Sequence, residues 1–163
     1  MRPSVFLAPA ISLMASGDAS AAPAWTVERS EVAYLFYGEP DKPVLSITCG
    51  EEEGETGRDE TRIEVEVDAG TKPGAGQVVL VVEEKGGRKE VPLKADICSE
   101  ADPCTNGVEG EVYRYEASVP GKELALNIAD KGRTLSLDAP GAKVSVAAEA
   151  KTFKRFAAMC LNW

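Results

Sequence analysis

Ala147-Ala148-Glu149-Ala150-Lys151-Thr152-Phe153-Lys154-Arg155-Phe156-Ala157-Ala158-Met159-Cys160-Leu161 closes the chain and sets its architecture. Phe153, Phe156, Ala157, Cys160 and Leu161 recur at i, i+3, i+4, i+7 and i+8, the spacing of one face of a helix. Lys151, Lys154 and Arg155 fall off that face and follow Glu149, an order that a helix dipole favours. A cysteine inside an apolar stripe points into the core, so Cys160 is expected to meet a partner there. The candidate is Cys49, at the end of Leu45-Ser46-Ile47-Thr48-Cys49. Strand alternation sends Leu45, Ile47 and Cys49 to one side, and Ser46 and Thr48 to the other. Burying Phe153, Phe156 and Leu161 is expected to contribute roughly 1.5–3 kcal/mol each.

Strands precede this helix. Trp25 to Arg29 alternates large apolar and polar residues. Val32 to Tyr37 is apolar on both faces and reads as a central strand, and Gly38 to Pro43 reads as a turn. In Arg62 to Asp68, Ile63, Val65 and Val67 point inward, with Glu64 and Glu66 on a wet face. Gln77 to Glu84 contains Val78 to Val82, apolar throughout and expected to be covered on both sides. Gly86-Gly87 signals a hairpin to Lys89 to Lys94, where Pro92 marks an edge. Asp96 to Gly110 reads as a loop. Glu111 to Val119 places Tyr113, Tyr115, Ala117 and Val119 on one side. Such aromatic rows, like Tyr34, Phe36 and Tyr37, belong to a core more often than to a ligand site. Lys122 to Lys131 fits a short helix or a strand, and Gly132 past its end favours the helix. Thr134 to Asp138 and Lys143 to Val146 form a hairpin across Pro140-Gly141. The expected fold is mainly β: an antiparallel sandwich or partly open barrel of about eight strands, capped by a C-terminal helix.

Residues 1–21 read as a secretory signal peptide. Arg2 supplies the positive region, Val5 to Ala15 the apolar region, and Ala19-Ser20-Ala21 the small-x-small cleavage pattern. The apolar run is shorter than the roughly 20 residues that a bilayer span needs, so no membrane span is expected in the mature chain. Residues 22–163 then form a single disulfide-bridged β domain. Removing Arg2 and Asp18 leaves the net charge at -9. That charge and a pI of about 4.7 argue against nucleic acid and anionic surfaces, and allow a basic protein partner.

The four cysteines, Cys49, Cys98, Cys104 and Cys160, all lie beyond the leader. An even number in an oxidising compartment suggests two disulfides. Three pairings are possible in principle, with free thiols or a metal site as the alternatives. Cys98 and Cys104 flank a loop with Asp102-Pro103 and can close a local bridge, which leaves Cys49 with Cys160. Zinc ligand pairs usually sit two to four residues apart, and this chain has no such cysteine pair.

The chain has no histidine. That removes the usual general base near neutral pH, the Ser-His-Asp and Cys-His nucleophile systems, and the commonest zinc ligand. No phosphate loop and no Cys-x-x-Cys is present. A carboxylate pair of the glycosidase kind needs no histidine, but 27 acidic residues make some such pair inevitable. Glu51-Glu52-Glu53-Gly54-Glu55, with Asp59 and Glu60, reads as a solvated loop. Weak calcium binding is its alternative, without the spacing of an EF-hand. No catalytic residue, cofactor or metal site is therefore expected.

Trp25, Tyr37-Gly38-Glu39-Pro40, the strand Leu45 to Cys49 and the ending Phe156-x-x-x-Cys160 together resemble a loose group of small signal-peptide-bearing envelope proteins of Gram-negative bacteria, themselves without assigned function. The resemblance implies a periplasmic β domain with a bridge from a strand to the terminal helix. It carries over no catalytic or binding residue, and the Cys98–Cys104 loop has no counterpart in it. The expectation is an exported protein, periplasmic or secreted, that acts without catalysis through protein contacts. An acidic inhibitor of a basic lysozyme-like hydrolase and a carboxylate hydrolase are the alternatives.

Overall fold

The computed structural model describes residues 22–39, 42–51, 59–67, 77–98 and 113–162. The expected leader, most of the acidic loop and Cys104 lie outside the described residues. Within them the chain runs through β1 (Ala24–Arg29), β2 (Ala33–Glu39), β3 (Lys42–Glu51), β4 (Asp59–Val67), β5 (Val78–Glu84), β6 (Gly87–Leu93), β7 (Asp96–Cys98), β8 (Tyr113–Pro120), α1 (Glu123–Lys131), β9 (Thr134–Ala139), β10 (Ala142–Ala147) and α2 (Ala150–Leu161).

The strands form two antiparallel sheets. One has six strands in the order β1-β2-β3-β4-β8-β7, and the other has four in the order β10-β9-β5-β6. The arrangement is sandwich-like and is not a closed barrel. Alternation builds the core. Leu45, Ile47 and Cys49 of β3 are fully buried, and so are Ile63, Val65 and Val67 of β4, which face the second layer. That layer holds the small sheet, through Leu80, Val82, Leu135 and Leu137, and the two helices. α2 packs on β1 and β2, α1 packs on β3 and β4, and the helices pack on each other. No helix among the described residues is long and apolar enough to cross a membrane.

Cys49 and Cys160 are joined by a disulfide, with 5.9 Å between their Cα atoms. Gly50 follows at φ +151°, and a Cβ there would meet Val32 Cγ1 at 2.9 Å. The backbone beside the bridge therefore tolerates only glycine. Pro140-Gly141 makes the β9–β10 turn with Gly141 at φ +80°, as a type II turn requires of its second central residue.

Three expectations are corrected. Asp96–Cys98 is a strand, not loop: it pairs with β8 at the sheet edge, an interaction that no local pattern encodes. Leu161 is 64% exposed. At about 100° per residue Leu161 sits roughly 80° beyond Phe153, on the far side from Phe156, outside the arc that Phe153, Phe156 and Cys160 bury. The face carrying Glu64 points outward but is only partly wet: side-chain exposure is 16% for Glu64 and 12% for neighbouring Arg62.

Candidate functional site

The outward face of the four-stranded sheet holds an open groove of about 500 Å³. Its floor is β5. Val79 lies between Pro92 and Asp138, and Val81 lies between Glu90 and Ser136. Val81 is only 6% exposed. The walls carry paired charges: Arg88 Nη2 is 3.0 Å from Glu90 Oε1, and Lys143 Nζ is 3.2 Å from Asp138 Oδ1. The Pro140-Gly141 turn closes one end. A smaller hollow of about 230 Å³ continues over β9 and β10, where the hydroxyls of Ser136 and Ser145 are 2.7 Å apart. Rigid β-branched residues form this floor and self-neutralised ion pairs rim it. Such a surface can bury an apolar side chain and exchange hydrogen bonds at its margin. Its two acids, Glu90 and Asp138, are each paired with a cation.

The outward face of the six-stranded sheet carries a different cluster. Glu64 and Glu116 stand directly opposite each other on β4 and β8. Arg62 Nε is 3.3 Å from Glu116 Oε1, Arg62 Nη2 is 3.4 Å from Glu60 Oε1, and Arg114 Nη1 is 3.7 Å from Glu64 Oε2. Two like charges thus share a row, each with an arginine on its diagonal. Burial pushes the Glu64 carboxyl above the ordinary carboxylate range, Arg114 pulls against that, and Glu116 adds to it. Burial likewise raises the Tyr34 hydroxyl, opposed by Ser46. The Tyr34 ring lies 5.1 Å from that of Phe36. Two facing carboxylates are what a glycosidase needs, but here an arginine lies against each, and neither lines the groove.

Of the cysteines singled out above, Cys49 is joined to Cys160. Cys98 is fully buried and disulfide-bonded. Its Sγ lies 3.7 Å from Glu116 Oε2, and its expected partner Cys104 lies outside the described residues. Among the described residues no three acidic, cysteine or histidine side chains converge as metal ligands. Tyr115 is core, with its hydroxyl donating to the Pro140 carbonyl at 2.6 Å. The groove was not apparent in the sequence, because Val78 to Val82 read as covered on both sides. The signal was there in the neighbouring strand, where Arg88, Lys89, Glu90 and Pro92 make a polar edge with no large apolar side chain to lay over Val79 and Val81.

Comparison with known proteins found no matching family model, no similar curated protein and no similar solved structure.

Proposed function

We propose that this chain is an exported domain that works without catalysis, through protein contacts made by the outward face of the four-stranded sheet. The observation that carries this reading is the groove floored by Val79 and Val81 and rimmed by the Arg88–Glu90 and Lys143–Asp138 pairs. An extended segment could place an apolar side chain on that floor and polar atoms at the rim. Export, to the periplasm or beyond, is supported by the leader-like residues 1–21, by the Cys49–Cys160 bridge, and by the envelope-protein resemblance.

A photo-crosslinking residue at Glu90 in the envelope-resident protein tests it, with Lys151 on α2 as the control position. A protein captured at Glu90 and not at Lys151 should bind the purified domain and lose that binding in Val79→Lys. Equal capture at both positions, or binding untouched by Val79→Lys, would count against the groove. The net charge of -9 supports a narrower second reading, an inhibitor of a basic lysozyme-like hydrolase, because opposite charge speeds encounter. Undiminished cell-wall lysis with excess protein at low salt removes it.

A further inference from the structure

The four-stranded sheet ends on one side at β10, and the character of that edge points to a second copy of this chain. Natural sheet edges are protected by proline, charge, shortness or cover. β6 has Pro92 with Arg88, Lys89 and Glu90, β7 has three residues, and β1 is packed by α2. β10 is capped at its last residue, where the Trp25 indole N–H meets the Ala147 carbonyl, but from Ala142 to Val146 it has no proline and no such cover. It spans six residues, Ala-Lys-Val-Ser-Val-Ala, with unbroken register against β9 and no proline. Its one charge, Lys143, is turned to Asp138.

The alternation of an antiparallel ladder fixes which main-chain groups face away from β9. The Ala147 carbonyl accepts the Trp25 indole N–H instead of a bond from β9, so Ala147 is an outward position. Ser145 and Lys143 share that parity. On this side the N–H and C=O groups of Lys143 and Ser145 have no hydrogen-bond partner among the described residues.

We propose that two copies pair β10 to β10, antiparallel, about a twofold axis at Ser145. In that register the outward positions meet: Ser145 faces Ser145, and Lys143 faces the partner's Ala147. On the core side, half-buried Val144 faces the partner's Val146, and Val146 faces the partner's Val144. The edge is thus self-complementary. Two Val144–Val146 contacts and one Ser145–Ser145 pair fall in register with the main-chain bonds, and no like charges oppose each other. The two four-stranded sheets become one of eight. This edge adjoins the groove, with Lys143 common to both, but the pairing is made by main-chain groups and does not depend on which protein the groove meets. Because each copy carries -9, raising salt relieves repulsion and strengthens the pairing. Docking between an acidic and a basic surface would respond in the opposite way.

Sedimentation and amide hydrogen exchange of the oxidised mature chain test this. The expected result is a dimer that tightens with salt, with the Lys143 and Ser145 amides slowing as protein concentration rises. Ser145→Pro removes an outward N–H and leaves the β9 ladder intact, so it should give a folded monomer. Ser145→Ala should stay dimeric. A parent chain that is monomeric at every concentration overturns the proposal. So does a dimer whose Lys143 and Ser145 amides exchange no more slowly than in the monomer, a readout that needs no variant to fold. Protection that appears only with an added foreign extended peptide also overturns it.

Discussion

The Trp25 indole donates its Nε1–H to the Ala147 carbonyl at 2.6 Å, across 122 residues of chain. The same ring meets Phe153 edge-on at 4.9 Å and Tyr37 at 5.3 Å. One side chain therefore ties the first strand, the last strand and the last helix together. Trp25→Phe keeps an aromatic ring in that space but loses the donor. It should cost about 1 kcal/mol, read as a lower urea midpoint at unchanged slope. An unshifted midpoint would show that the bond adds nothing.

The buried stripe of α2 should be sharply graded. Phe156 is fully buried and Leu161 is 64% exposed. Phe156→Ala is expected to destabilise by roughly 3–5 kcal/mol, and Leu161→Ala by less than about 0.5 kcal/mol. Thermal melts of both, side by side, check the contrast.

The Cys49–Cys160 bridge closes a loop of sequence separation 111. On the loop-entropy model, replacing both cysteines by alanine lowers stability by roughly 4–5 kcal/mol. Non-reducing peptide mapping of the exported protein should recover the two cysteines in one linked fragment. Recovery of Cys49 with any other cysteine would contradict the fold.

Glu64 gives stability an acid-side component. Its native carboxyl holds a proton more tightly than the unfolded chain does, because burial and the facing Glu116 outweigh Arg114. That contribution is fully present below the unfolded value of about 4.3. It is lost as pH rises through the higher native value. Glu64→Gln should flatten stability against pH across that window. Denaturant titrations from about pH 4 to about pH 7 check it: equal slopes for variant and parent would mean that Glu64 titrates as it does unfolded.

Much of this fold is legible in side-chain alternation, because a face that must be dry repeats every second residue. Leu45, Ile47 and Cys49 gave both the strand and the direction of the thiol. Phe153, Phe156 and Cys160 gave the helix that the thiol meets. Gly132 correctly tipped Lys122 to Lys131 towards helix, since α1 ends at Lys131. Other features depend on which strand lies beside which, and alternation is silent about that. Nothing in Val78 to Val82 says that β5 skips ahead to β9. Nothing in Asp96–Cys98 says that three residues find an edge on β8. The Glu64–Glu116 row is of the same kind. Each acid looks like a solvent-facing residue in its own strand, and only the pairing of β4 with β8 puts arginines across the diagonals. The candidate groove follows from this too, being bare because of its neighbours.

The covalent link between β3 and α2 also sets the mechanics of the molecule. A pull on its two ends can peel off only β1, β2 and part of β3 before the force passes directly from Cys49 to Cys160. Everything between them hangs slack, as a closed ring in parallel with the load. A protease that nicks any connection inside that ring leaves one molecule, heavier by a single water, and the fragments part only when a reductant is supplied.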